Sequence, residues 1–366
     1  MQSSTHDYVI VGAGSAGCVL ANRLSADPRN SVLLLEAGPR DDYLWIHIPI
    51  GYGKTMFHPV YNWGFYTEPD PGMNGRKVYW PRGRGLGGSS SINGLIFVRG
   101  QREDYDAWAA AGNTGWSYDE VLPYFIKSEA NQRGANAFHG ADGPLAVSDI
   151  GAKHELVEAF IEAAAKLGVP RTDDFNGASQ EGAGYYQLTT KGGWRCSTAT
   201  GYLKPARGRK NLRVQTSAHA TGIVFDGKRA AGVRYRMLGK EHEAAARRSV
   251  ILCAGALQTP QLLQLSGVGP SALLHEHGIP MVHDMPRGRR KPAGSLAASA
   301  HVQVHQGHYH QRRPRVLVAK SRARSAMALQ AQRPACHRHQ PGRLVHPHPA
   351  GIEIARHPIP FCDAIR

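Results

Sequence analysis

The sequence has no long apolar run. No uninterrupted hydrophobic segment approaches the ~20 residues needed to span a bilayer, and the N-terminus shows no cationic stretch leading into an apolar one. Both gaps point to a water-soluble intracellular chain without a transmembrane segment, with the cytoplasm as its expected compartment. Cysteine is scarce as well. Cys18, Cys196, Cys253, Cys336 and Cys362 are an odd, scattered set without paired spacing, which argues against a disulfide framework and against a cysteine-built zinc site. His275 and His277 stand at i, i+2, which does not put two rings on one helix face, so no metal ligand is assigned.

Acidic residues are few beside basic ones, 28 against 44, for a net charge of +16. Such an excess raises nucleic acid as a partner until its position is considered. Residues 287–366 hold 15 of the Lys and Arg against only Glu353 and Asp363, together with nine of the 19 histidines, whereas the first 286 residues carry only +3. The body is therefore close to neutral. The basic tail shows neither helical nor alternating apolar periodicity, and nucleic-acid binding is not expected of it. With 366 residues, 42% of them hydrophobic, the chain is long enough for about two cores.

What is present begins at once. Asp7-Tyr8-Val9-Ile10-Val11 reads as a buried parallel strand, ending in Gly12-Ala13-Gly14-Ser15-Ala16-Gly17. Gly12 permits the tight turn, Gly14 lets a pyrophosphate approach the backbone, and Gly17 lets a helix from about Ser15 to Leu24 pack on the strand. The helix N-terminus then faces the phosphates. A second strand, Ser31 to Leu35, ends in Glu36, nineteen residues past Gly17, where a carboxylate can accept hydrogen bonds from a ribose. This is a dinucleotide fingerprint, and by itself it does not separate FAD from NAD.

Two further motifs narrow the choice. Gly83 to Ser91 contains four glycines and three serines and runs through Asn93 into the apolar stretch Leu95 to Val98; such a backbone can lie against a ligand and offer it N–H donors. Gly255 to Gly269 follows the apolar strand Ser249 to Ala254. There Thr259 reads as a helix N-cap with Pro260 at the first helical position and Gly267 at the helix end.

Together these motifs resemble the glucose-methanol-choline oxidoreductase family, flavoenzymes that oxidise alcohols. Gly83 to Asp106 fits that family's first signature and Gly255 to Gly269 its second, while Asp7 to Pro39, Asn62-Trp63 and Trp116-Ser117-Tyr118 are similar to its choline and aliphatic-alcohol dehydrogenase branch. The resemblance runs over roughly residues 6 to 286. It implies an α/β fold, with a discontinuous FAD-binding Rossmann-like domain built from 1–48, 80–125 and 210–286. An α+β substrate cap would come from 49–79 and 126–209, and the whole would be incomplete at the C-terminus.

Residue by residue, the resemblance places Gly12, Gly14, Ser15, Ala16, Gly17, Glu36 and Ala37 at the FAD pyrophosphate and adenosine ribose. Leu86, Gly88, Ser89, Asn93, Gly94, Leu95 and Ile96 fall along the pyrophosphate and flavin ring, and Ala220 at the adenine. Ile92 stands where some members attach FAD through a histidine, so non-covalent FAD is implied. Phe138 to Pro144 and Gly182 to Gln187 belong to the cap, where Tyr185, Tyr186 and Trp194 are expected to pack in the core rather than face substrate. A small alcohol is the implied substrate and a quinone or dioxygen the electron acceptor. Some members associate peripherally with the inner membrane, although nothing before Pro286 looks like an interfacial helix.

The departure from the family lies in the catalytic residues. Its base is a histidine paired with a second histidine or an asparagine, all from a C-terminal context of the form His-Pro-x-Gly-Thr that this sequence lacks. No catalytic residue is therefore assigned, and a flavin-binding chain without turnover stands beside the active enzyme as a reading. The Gly-Gly-Ser-Ser-Ser loop disfavours an NAD enzyme. The tail offers an explanation of its own. With the last two bases of each codon joined to the first of the next, one synonymous choice for Arg287 to Ala297 spells Gly-Val-Gly-Glu-Asn-Leu-Gln-Asp-His-Leu-Gln, the family's usual continuation. His346 to Phe361 can likewise spell a segment resembling its next cap strand. Residues 287–366 are thus expected to be an out-of-frame translation, too poor in apolar periodicity to pack.

Overall fold

The computed structural model describes residues 2–285. Residues 286–366, including the segment read above as out of frame with Cys336, Cys362, His337, His339, His346 and His348, lie outside the described residues. Contacts divide the chain into two units: of the described residues, 2–95, 143–147 and 189–285 form unit one, and 96–142 and 148–188 form unit two. These breakpoints differ from the nucleotide and cap segments expected from the resemblance. Residues 49–79 fall in unit one and 96–125 in unit two.

Unit one is organised by a six-stranded mixed sheet. Its strands are β1 (Gln2–Val11), β2 (Val32–Leu35), β3 (Leu212–Gln215), β4 (His219–Asp226), β5 (Arg229–Met237) and β6 (Lys240–Leu252), in the order β4-β5-β6-β1-β2-β3. β1 lies centrally, parallel to both β2 and β6, and β3 extends the parallel part beside β2. β4, β5 and β6 form an antiparallel meander. β1 is longer than its apolar run implied, because polar residues from Gln2 onward pair with β6. A non-local ladder supplied what local hydrophobicity did not show.

Successive side chains on a strand point to opposite faces, and both faces of this sheet are covered. Val9, Val11, Leu33 and Leu35 enter one core, with Ile223, Tyr235 and Leu262. Ile10, Val32 and Leu34 enter the other, with Ala13, Cys18, Ala21 and Leu203. All four β2 residues are buried, and each such Val or Leu contributes about 1.5–3 kcal/mol. Cys18 and Ala21 belong to helix α1 (Ser15–Leu24), the helix expected from the glycine turn.

The later helix corrects the sequence reading. It runs over Gly255–Leu265 directly after β6, so Thr259 is not its N-cap and Pro260 lies inside it. Thr259 is buried, and Pro260 removes one N–H from the ladder. Thr-Pro looks the same at a helix start as within one when the preceding strand already delivers the chain in helical direction. Gly267, at φ +86°, stands just past the helix end as expected. His275 and His277 are exposed around the end of the short helix Ser271–Glu276.

Unit two carries helices Arg102–Ala110, Tyr118–Ser128 and Glu155–Lys166. The side chain of Asp104 accepts from the Gln101 N–H and that of Glu120 from the Ser117 N–H, closing the N-termini of the first two. At its centre is a buried polar network. Glu129, fully buried, pairs with Arg99 and accepts from Asn131 Nδ2 at 2.7 Å. His139 Nδ1 lies 3.0 Å from Glu129 Oε1, and its Nε2 lies 2.9 Å from Asp174 Oδ2. With a carboxylate at each nitrogen, both must carry protons, so the ring is a cation. Asp174 first and Glu129 second raise its pKa to about 9. Tyr186 stacks on Phe175 and Tyr185 is half-buried, in keeping with packing roles. Trp194, in unit one, departs from that expectation at 53% exposed.

Candidate functional site

The glycine turn after β1 is held by its own close contacts. Gly12, at φ +98°, lies against the Cys253 carbonyl, where a Cβ would come within 2.5 Å of the oxygen. A Cβ on Gly17 would stand 1.9 Å from the Gly12 oxygen. These two glycines are required by the fold itself. Gly14 is different: a Cβ there would meet nothing within 4 Å, and its φ of −73° suits any residue. The space before Gly14 is open. No side chain caps α1 at this end and no acid occupies its first turn, while Ser15 is exposed. An uncapped helix N-terminus facing open space offers N–H groups and the positive end of the helix dipole to an anion.

Glu36 binds the turn together. Its carboxylate accepts from the Ala13 N–H at 2.8 Å, the Gly38 N–H at 2.8 Å and the Gly85 N–H at 2.9 Å. Burial pushes its pKa up, and those three amides oppose the shift. Both oxygens thus serve the backbone, a task the ribose-binding expectation did not include. Ala37, next to it, is half-buried. The chain beyond Glu36 meets the approach to β4, with Ala218 N donating to the Glu36 carbonyl at 2.8 Å and Ser217 N to that of Gly38 at 2.9 Å. Ala220 follows two residues later in β4, opposite Tyr235.

The Gly/Ser loop forms the wall of the same turn. Gly87 N donates to the Ala13 carbonyl at 2.8 Å, and a Cβ on Gly88 would come 2.7 Å from Gly14 Cα. Leu86 is buried beneath the loop. The serines fasten it from within: Ser89 Oγ accepts from Gly83 N at 3.0 Å, Ser90 Oγ donates to the Gly87 carbonyl at 2.6 Å, and Ser91 Oγ to that of Leu86 at 2.7 Å. It is a folded loop that turns its backbone on the glycine turn.

Beyond it, Asn93 Oδ1 accepts from Leu95 N at 3.2 Å, an Asx turn around Gly94. Leu95 is buried with φ +66°, a conformation that costs a bulky residue about 1–3 kcal/mol. Its carbonyl accepts from Thr189 N at 2.8 Å, which helps hold it. Ile96 belongs to unit two, where it bridges Leu188. All the other expected site residues are in unit one. A cleft of about 510 Å³ in that unit, lined by Asp41, His47, Trp194, Arg195, Lys204 and Arg207 among others, includes none of them, although its Arg195 bonds Asn93.

A Rossmann-type strand, glycine turn and uncapped helix, walled by a second glycine-rich loop, define an α/β dinucleotide-binding unit. Residues 6–285 match the GMC oxidoreductase family, and the chain belongs to it. It is 47% identical to mitochondrial choline dehydrogenase of Mus musculus over 288 residues, covering 77% of this chain and 48% of that protein. To alcohol dehydrogenase [acceptor] of Pseudomonas putida it is 49% identical over 284 residues, covering 77% and 51%. A solved FAD-dependent oxidoreductase from Chaetomium thermophilum superposes with a TM-score of 0.71 at 34% identity, covering 77% of this chain and 51% of that one. The chain spans about half the length of the curated relatives it matches. No helix among the described residues is long and apolar enough to cross a membrane.

Proposed function

We propose that this chain binds FAD non-covalently and that the protein acts on alcohols. The observation that carries the reading is the cradle: the open space before Gly14 at the uncapped N-terminus of α1, with the Gly87-Gly88 wall beside it. The charge of a pyrophosphate suits that helix end, and a Cβ on Gly14 would project into the open space before it. Asn93, Gly94 and Leu95 would line the flavin side, and the Glu36 end with Ala220 the adenosine side. Ile92, in place of a histidine, leaves that position no nucleophilic side chain with which to tether the flavin. When bound, FAD would supply the hydride acceptor for oxidation of a carbinol carbon. The residues described here would bind and orient it; none is assigned as the base that takes the hydroxyl proton.

Relatives named for choline and for alcohols favour a small alcohol as substrate, with a quinone or dioxygen as terminal acceptor. A purified chain mixed anaerobically with choline, primary alkanols or an aromatic alcohol tests turnover through bleaching of its flavin absorbance. Bleaching with one of them is the expected result for the enzyme. A chain that keeps its flavin colour with all of them is a flavin-binding protein without turnover, the second reading.

A further inference from the structure

We propose that Arg195 is a positioning residue for Asn93, fixing that side chain so that its Nδ2 group is the donor presented to the cofactor; the proposal rests on the flavin reading above. Arg195 is only 2% exposed. Its Nη1 donates to Asn93 Oδ1 at 2.7 Å and to the Ser90 carbonyl at 3.2 Å, and its Nε donates to the Ile46 carbonyl at 2.7 Å. None of these partners is a carboxylate. Burial alone lowers its pKa to about 10, which leaves it charged at neutral pH.

A buried cation without a counter-charge is costly, and neutral donors could tie these loops together. A guanidinium does one thing that a neutral amide does not. It has donors only, so the atom of Asn93 that faces it must be the oxygen, and the amide cannot flip. Leu95 N donates to the same oxygen from the other side, at 3.2 Å. The Nδ2 group is thereby turned away from both. Among the described residues it donates to nothing, and it is not one of the buried atoms left without a partner. A charged donor on Oδ1 also polarises the amide and strengthens whatever bond Nδ2 makes. Arg195 Nη2 is itself buried and unpaired, so the fork is not placed for its own satisfaction.

The test is FAD titration of flavin-free chains followed by flavin fluorescence, with thermal midpoints measured alongside. Arg195→Met and Asn93→Ala should each weaken FAD binding by roughly tenfold or more, and the double variant should bind no more than about twofold more weakly than either single one. Arg195→Lys, which keeps the charge and one donor, should recover part of the loss. If Arg195→Met does not fold, Arg195→Lys with Asn93→Ala supplies the same cycle. Asn93→Asp keeps the contact to Arg195 without the Nδ2 donor; it should retain the wild-type thermal midpoint and still lose roughly tenfold in affinity. Losses that multiply in the double variant, or wild-type affinity in Asn93→Asp, overturn the proposal. A wild-type chain that takes up no FAD overturns the flavin reading and this proposal with it.

Discussion

Gly14 and Gly17 stand three residues apart in one turn, and the structure gives them opposite duties. At Gly14 an added methyl meets no heavy atom within 4 Å, and φ −73° is allowed to alanine. Gly14→Ala should therefore fold, with stability unchanged or raised by about 0.4–1 kcal/mol through the stiffer unfolded chain. The methyl nevertheless occupies the space proposed for the pyrophosphate. Holding the diester off the helix N-terminus by about one methyl radius costs it one or more charge-assisted bonds of about 1.5–3 kcal/mol each, or roughly tenfold to a hundredfold in affinity. Gly17→Ala should behave in the reverse sense. Its Cβ would sit 1.9 Å from the Gly12 oxygen, a backbone atom that cannot swing aside, so a loss of about 1–3 kcal/mol or more is expected. Thermal midpoints and FAD titrations on both variants separate the two effects. A Gly14→Ala chain that binds FAD as tightly as wild type, or that unfolds as Gly17→Ala does, would refute the reasoning.

Three more outcomes follow from the geometry. The His139 pKa, raised from 6.5 to about 9 by Asp174 and Glu129, contributes stability that is full below pH 6.5 and lost as the pH climbs through 9; the loss amounts to about 3 kcal/mol. Protection factors of amides around 129–139, taken relative to the base-catalysed intrinsic exchange rate at each pH, should fall across that window in wild type and change little in His139→Gln, whereas a flat wild-type profile would contradict the ion-pair assignment. Leu238 is 87% exposed at φ +50° and precedes Gly239 at φ +75° in the tight turn joining β5 and β6, so Leu238→Asn should stabilise by about 1 kcal/mol; a fall in the thermal midpoint would count against that turn. Burial pushes the Cys18 and Cys253 thiols up to about 12, and peptide mapping after alkylation of the native chain at pH 8 should find both unmodified, with rapid labelling of Cys18 as the contrary result.

The parts of the fold that were legible in sequence are those fixed by neighbours along the chain. The β1 strand, the turn at Gly12 to Gly17 and the helix Ser15–Leu24 announce themselves through a short apolar run and three glycines. Residues whose role is set by distant partners were not legible. The pairing of residues 2–6 with β6 made a strand of a polar stretch, and the strand before Gly255 carried the chain into a helix that swallowed Pro260. Glu36 was found by spacing, yet its hold on Gly85, 49 residues on, needed coordinates. Arg195 gave no signal, because its partner Asn93 lies 102 residues away. A lone arginine beside a tryptophan reads as surface.

The central claim is that this chain holds FAD at the Gly14 cradle without a covalent bond. Its most direct test is the visible spectrum and flavin content of the purified 366-residue chain, reconstituted with FAD, desalted and then precipitated with acid. The account predicts about one flavin per chain after desalting, lost in Gly14→Ala, and all of it released to the supernatant by acid. A colourless wild-type chain, flavin that stays with the precipitate, or equal retention in Gly14→Ala would contradict it.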